Sequence, residues 1–318
     1  MFLTVTLNAA VDKTWCLPAL EPGRLHRPTA HVTLAGGKGI NVARVLRELG
    51  AEALATGMVA GPTGKAILSL LETEGVAHEF HSLAAGDSRT CVALIHPGGQ
   101  PPTEINEPGP HVGEAELPRF LSLFERLLPR ASWVVLSGSL PPGLPAEAYA
   151  RLIRLARDHG KRVSLDSSGP ELPELLALAP DLVKPNEQEA AALLGGPVTL
   201  EGLPQAVERL RAAGPRVVAL SMGQAGAAVA ADGEAWWVAA PEVPVLNPVG
   251  SGDAFLAAFL AQWERGAGLA QAARWGVAAG SANAAVEGAA ACRAVDVEAL
   301  VPRVGPVPLA EAFTASSR

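Results

Sequence analysis

The chain has 318 residues, 49% of them apolar, and carries a formal net charge of −7. That length suits one large α/β unit with additions. An acidic chain without a basic run is poorly suited to nucleic acid or an anionic membrane surface, although a small anionic ligand needs only a few local cations. Lysine is scarce: there are five against twenty arginines. The three cysteines, Cys16, Cys91 and Cys292, are odd in number and far apart, so no disulfide framework or zinc spacing is visible. No HExxH occurs among the seven histidines. The opening "MFLTVTLNAAVD" lacks a basic n-region, and no apolar run is long enough to cross a bilayer. A soluble, cytoplasmic protein is expected.

In chain order, "FLTVTL" alternates and predicts a first strand. "GINVARVLRELG" puts Val42, Val45, Leu46 and Leu49 on one helical face and stops at Gly50. "ALATGMVA" predicts a strand, and "GKAILSLLETEG" a helix ending at Gly75. "WVVLSG", "RVSLDSS", "DLVKPN" and "RVVALSMG" are short apolar runs that end in small or polar residues. Helical stretches separate them, such as "PAEAYARLIRLARDHG" with Pro145 suited to a first turn. Strands alternating with helices predict a mostly parallel sheet covered on both faces. Ligands then sit beyond the carboxyl ends of the strands. Two regions break the alternation. "DKTWCLPALEPGRLHRPTAHVTLAGG" has no helical period, and "SRTCVALIHPGGQPPTEIN" reads as a hairpin joined by "HPGGQPP". Both are expected to form a small β lid. "AAVAADGEAWWVAA" predicts a hairpin at the sheet edge, turning at Asp232-Gly233.

Several familiar sites are excluded. "GPTGKA" lacks the first glycine and the Ser or Thr of a P-loop, no GxGxxG follows a strand, and "VLSGSLPPG" is not a nucleophile elbow. "NPVGSGDAF" is different. Gly250, Ser251 and Gly252 can present consecutive backbone N–H groups where a helix begins, which makes an anion hole, and Asp253 stands beside it. A plain helix cap by Ser251 or Asp253 is the competing reading. In "LAGGKGINVARVL", Gly36, Gly37 and Gly39 allow close backbone approach, Lys38 brings charge and Asn41 opens a helix; the alternative is a tight strand-to-helix turn. "LVKPNEQEA" ends a strand with Lys184 and caps a helix with Asn186, three residues before Glu189, and a capping box explains that spacing by itself. "SMGQAGA" supplies Ser221, Gly223 and Gly226 after another strand.

Taken in order, "GGKGIN", "LSGSLPPG", "LDSSG", "KPNEQE", "SMGQAGA" and "NPVGSGDAF" resemble the ribokinase-like (PfkB) carbohydrate kinases over nearly the whole chain. "TLNAAVD", "GGKGINVARVL" and "TEINEPGP" resemble its sugar-phosphate branch, the 1-phosphofructokinases and tagatose-6-phosphate kinases. The resemblance implies one kinase domain over 1–318, an α/β/α three-layer fold with a mostly parallel central sheet, and a β lid formed by about 11–35 and 87–107. It implies that Asp253 is the general base and that Gly250, Ser251 and Gly252 hold the transferring phosphoryl group. Asp12, Gly37, Lys38 and Asn41 would bind the sugar, and Arg89 the phosphate the sugar already carries. Lys184, Asn186, Ser221, Gly223 and Gly226 would hold ATP, with Asn283 near the adenine and Glu189 placing Mg²⁺ through water. The family's lid also commonly forms a homodimer interface.

The implied reaction is ATP-dependent phosphorylation of a ketohexose monophosphate, first of all fructose 1-phosphate to fructose 1,6-bisphosphate. Tagatose 6-phosphate and fructose 6-phosphate are alternatives, as are an unphosphorylated sugar or nucleoside, or a non-enzymatic sugar-phosphate sensor. Ser167 stands where threonine is usual, and Cys91 where 1-phosphofructokinases often show asparagine. Both departures bear on the sugar rather than on the reaction.

Overall fold

The computed structural model describes residues 1–96 and 101–313. In chain order the strands are β1 (Phe2–Thr6), β2 (Ala10–Cys16), β3 (Ala30–Gly36), β4 (Ala53–Val59), β5 (His78–Ser82), β6 (Arg89–Ile95), β7 (Thr103–Asn106), β8 (Trp133–Ser137), β9 (Arg162–Asp166), β10 (Leu182–Val183), β11 (Val217–Ser221), β12 (Gly226–Ala231), β13 (Glu234–Ala239) and β14 (Pro306–Pro308). The α-helices are α1 (Lys38–Glu48), α2 (Gly61–Thr73), α3 (Glu116–Leu127), α4 (Glu147–Asp158), α5 (Leu172–Ala177), α6 (Glu187–Leu194), α7 (Leu203–Ala212), α8 (Ser251–Glu264), α9 (Leu269–Ala284), α10 (Ala294–Leu300) and α11 (Leu309–Ala312).

Ten strands form one sheet in the order β14-β13-β12-β11-β10-β9-β8-β1-β4-β5. From β11 to β5 every pairing is parallel, and β12, β13 and β14 close the other edge antiparallel. The predicted hairpin at Asp232-Gly233 is β12–β13, with β14 laid against its outer side.

Helices cover both faces, which gives the three layers. Along β1 and β8, Leu3, Val5, Val134 and Leu136 pack under the face of Phe120, Phe124 and Tyr149, while Phe2, Trp133 and Val135 pack under that of Val42, Leu46, Phe255 and Phe259. The mostly parallel central sheet and its two covering layers are those the sequence predicts. The alternation of "FLTVTL" therefore does not mark a half-exposed strand: Thr4 and Thr6 are also buried, and the Thr6 hydroxyl accepts from the Ile40 amide at 2.9 Å. Pro145 precedes α4 instead of lying in its first turn; its carbonyl accepts from Ala148 N at 3.0 Å as the helix forms.

A second sheet has the order β3-β2-β6-β7, with β2–β3 and β6–β7 antiparallel and β2–β6 parallel. It carries the segments expected to be a lid. Register puts Arg89 beside Ala10 and Cys91 beside Asp12. The predicted turn at 97–100 lies outside the described residues. Among the described residues no helix is long and apolar enough to cross a membrane.

Candidate active site

The carboxyl ends of β1, β8, β9, β10 and β11 open into a cleft of about 910 Å³ whose other wall is the second sheet. Asp12, Lys38, Asn41, Arg89, Lys184, Asn186, Glu189 and Asp253 all line it, as do Gly37, Ser221, Gly223, Gly226 and residues 250–252. Residues as distant in sequence as Asp12 and Asp253 are thus brought to one place by the parallel topology.

Helix α8 begins at Ser251 with Gly250 as its N-cap, and no side chain caps it. Gly250 has φ +81°, and a Cβ there would lie 2.4 Å from Ala290 N, so only glycine fits this turn. Two buried asparagines brace the loop. Asn247 Oδ1 accepts from Val249 N at 3.0 Å, and Asn283 Nδ2 donates to Val249 O and Ser251 Oγ at 2.9 and 3.1 Å. Asn283, expected near the adenine, is fully buried behind the loop and does not line the cleft. The open amides are also not the same three that the sequence suggests. The Ser251 N–H turns back onto Pro248 O at 3.1 Å, which leaves the Gly252 and Asp253 amides without a hydrogen-bond partner among the described residues. Such first-turn donors have no intrahelical acceptor and attract anions.

Asp253 is not a cap. The residue is 5% exposed, and its carboxylate accepts from Asn41 Nδ2 at 2.8 Å. Burial pushes it up to about 7, and Asp166 adds to the push, against the lowering effects of Lys38, the Asn41 hydrogen bond and Lys184. A carboxyl that titrates near neutrality beside an anion hole can exchange a proton at working pH.

Asp166, at the end of β9, was not singled out in the sequence. It is buried, 2.9 Å from Lys38 Nζ and 3.2 Å from Lys184 Nζ. Burial alone would raise its pKa, but the two lysines outweigh burial and hold it below the ordinary range. Lys38 is likewise held above its ordinary value: burial opposes the charge, and Asp166, Glu189 and Asp253 outweigh it. The available signal was a lone carboxylate ending a parallel strand, but nothing in the sequence says which lysines that strand end meets.

The capping box at Asn186 is present. Asn186 Oδ1 accepts from Glu189 N at 2.8 Å, and Glu189 Oε2 accepts from Asn186 N at 2.9 Å. The box leaves Oε1 of Glu189 turned toward Lys38, 3.7 Å away, so capping and a cleft role coexist. The glycines of "GGKG" serve the chain itself: a Cβ on Gly36 would fall 2.0 Å from the Asp12 carboxyl carbon. Asp12 is pushed up to about 6, chiefly by burial, with Arg44, Arg89 and a Gly37 hydrogen bond opposing. Arg89 donates from Nε to Asn8 O at 3.1 Å and from Nη1 to Glu107 O at 3.4 Å, so backbone carbonyls aim it into the cleft.

Oxygen-only donors and an orphaned buried oxygen fit a hard divalent cation. Among the described residues, Asp166 Oδ2 has no hydrogen-bond partner and only the ionic approach of Lys184 Nζ at 3.2 Å. Among the described residues no three His, Cys, Asp or Glu side chains form a metal cage. Such an ion would therefore draw most of its ligands from phosphate and water, as Mg²⁺ commonly does.

The family description "pfkB family carbohydrate kinase" matches residues 4–295. Phosphofructokinase-2 from Escherichia coli, solved with substrates and products, superposes with a TM-score of 0.87 at 30% identity, covering 95% of this chain and 98% of that one. A possible 1-phosphofructokinase from Thermotoga maritima superposes at 0.88 with 27% identity, covering 97% and 99%. Ribokinase from Arabidopsis thaliana, at 0.74 and 23% identity over 94% and 98%, shares the fold. With its cleft, its α8 turn and these matches along nearly its whole length, the chain belongs to the pfkB family of carbohydrate kinases.

Proposed function

We propose that this ATP-dependent sugar kinase acts on a ketohexose monophosphate, first of all fructose 1-phosphate, to give fructose 1,6-bisphosphate. The observation that carries the reading is Asp253, a buried carboxylate pushed up to about 7, in the same helical turn as two amides that have no partner among the described residues. Asp253 takes the proton from the attacking sugar hydroxyl. The Gly252 and Asp253 amides face the phosphoryl group as it moves. Phosphoryl transfer needs little beyond such positioning and charge stabilisation.

Lys38 and Lys184, steadied by Asp166, supply positive charge along the line between nucleotide and sugar. Asn186, Ser221, Gly223 and Gly226 form the wall assigned to ATP. Asp12, Gly37 and Asn41 are assigned to the sugar. Mg²⁺, the metal we assign, would be held by Glu189 through water, with Asp166 beside it, and would neutralise phosphate charge. Arg89 supports a substrate that already carries a phosphate, because a guanidinium held by backbone carbonyls keeps its charge for a dianion. The second sheet would act as the lid over that sugar. Its outer face, where Ile105 is exposed and points away from the cleft-lining Glu104 and Asn106, would pair two copies. Three free cysteines suit the reducing cytoplasm.

Fructose 6-phosphate is the second reading, supported by the likeness to Escherichia coli phosphofructokinase-2, solved with that sugar. ADP release measured with fructose 1-phosphate, fructose 6-phosphate, tagatose 6-phosphate and the free sugars tests the assignment. A highest kcat/KM on a free sugar would overturn it.

A further inference from the structure

Arg44 lies on α1, one turn beyond Asn41, and is buried although its neighbours Val42, Val45 and Leu46 are core residues. It has four acceptors. Nε and Nη2 reach Glu74 Oε2 at 2.8 and 2.7 Å, Nη1 reaches Asn41 Oδ1 at 2.8 Å and Ala289 O at 3.3 Å, and Nη2 donates to Ala35 O. Glu74, just past α2, is itself fixed: its Oε1 accepts from Ala35 N at 2.9 Å. Arg44 does not line the cleft.

An arginine can only donate. Whatever it touches on Asn41 must be the amide oxygen, so the amide nitrogen is forced toward Asp253, where it donates at 2.8 Å. We propose that Arg44 is a positioning residue: with Glu74 behind it, it selects the orientation of the Asn41 amide that donates to the Asp253 carboxylate. The proposal rests on Asp253 being the base. Without Arg44 the amide can flip and set its oxygen lone pairs against the carboxylate, which favours the protonated, unreactive form.

Other charges face this chain of contacts and must be held constant in a test. Asp166 from β9, Lys38 from α1 and Lys184 from the end of β10 act on Asp253, and Asp12 from β2 feels Arg44 directly. Arg44→Lys keeps the net charge, but an ammonium cannot span four acceptors on separate elements. Glu74→Gln has one oxygen for two tasks: its NH₂ must meet either Arg44 or the Ala35 N–H, donor against donor. By charge alone, losing Glu74 would make nearby carboxylates more acidic, whereas loss of positioning makes Asp253 less acidic. The direction of the shift therefore separates the two causes.

The experiment is kcat/KM against pH for wild type, Arg44→Lys, Glu74→Gln, Asp253→Asn and the exposed neighbour Arg47→Ala, using the best sugar phosphate. Substrate titration is common to all variants and cancels. Arg44→Lys and Glu74→Gln are expected to move the acidic midpoint up by about half a unit or more, with rates recovering to within a few-fold at high pH. Arg47→Ala is expected to leave the midpoint in place. If Asp253→Asn keeps its rate, the base assignment fails and the proposal falls with it. If Asp253→Asn is inactive but Arg44→Lys and Glu74→Gln keep the wild-type midpoint, Arg44 is structural and only this proposal is overturned; rates lowered equally at every pH overturn it in the same way. If Arg44→Lys does not fold, Glu74→Gln decides alone.

Discussion

Replacing Asp253 by asparagine is expected to change activity and stability in opposite directions. Asparagine has the same shape and can still accept from Asn41 Nδ2, so the packing survives. What disappears is the proposed base and the burden of a buried charge. Loss of a general base lowers kcat by about 10²–10⁴-fold. The stability term comes from the displaced titration. Moving a carboxyl from its ordinary 3.8 to about 7 corresponds to at most about 4 kcal/mol. The cleft keeps part of the carboxylate hydrated, so about 1–4 kcal/mol is the working range.

The pH dependence follows from linkage. Below about pH 4 the group is protonated in folded and unfolded chains alike and costs nothing. Between about pH 4 and 7 the unfolded chain has released this proton while the folded chain holds it, so stability falls as pH rises. Above pH 7 the cost is full. Asp12, also pushed up, to about 6, behaves the same way in both proteins and cancels in the difference. Thermal melting of wild type and Asp253→Asn between pH 4.5 and 8.5 should show the variant a few degrees more stable at pH 8 and the gap closing toward pH 4.5. A variant that melts at or below wild type at pH 8, or a gap that does not vary with pH, would refute the buried-charge account even if activity is lost.

Arg89→Ala should lower kcat/KM for the sugar phosphate by at least roughly 30-fold, the scale of about 2 kcal/mol for an unpaired charge, while activity on the free sugar barely changes; an equal loss on both would indicate damage to the second sheet. Glu189→Gln should raise the Mg²⁺ concentration for half-maximal rate by about tenfold. An unchanged titration would leave only the capping box. Asp166→Asn leaves Lys184, 4% exposed at its side chain, without its counter-charge. It should cost about 3–5 kcal/mol in chemical denaturation, and a loss below about 1 kcal/mol would show that Lys184 finds another partner.

The layered sheet was legible because its strands announce themselves as short apolar runs ending in polar residues. The second sheet was legible as the place where helical periodicity fails. Local chemistry was legible too: the Asn186 and Glu189 spacing specified a capping box, and a capping box formed. What the sequence hides is long-range. Asp166 became visible only when β9 was set beside β8 and β10, because strand order decides that Lys38 and Lys184 converge on it. The "GGKG" glycines looked like room for a ligand, but the space is taken by the Asp12 carboxyl and by Thr6. Arg44 carried a signal that went unread: an arginine on a buried helical face, three residues after a polar one, needs an internal partner.

The floor of the cleft is nearly neutral, and this constrains how it can hold anions. Lys38 and Lys184 share one carboxylate, Asp166, and Lys38 also approaches Glu189. Part of their charge is therefore balanced within the protein before any phosphate arrives. Among the described residues, the α8 amides, Lys13 and Arg89, whose side chain donates to the carbonyls of Asn8 and Glu107, are cleft donors not paired with a carboxylate. The amides and Arg89 lie toward the two places where this reading puts phosphate. A phosphoryl group at the α8 turn brings negative charge close to Asp253, and like charge raises a carboxyl's proton affinity. The base would thus bind a proton more strongly when the phosphoryl group is in place than when the cleft is empty, and removal of the hydroxyl proton would be favoured only with both substrates seated.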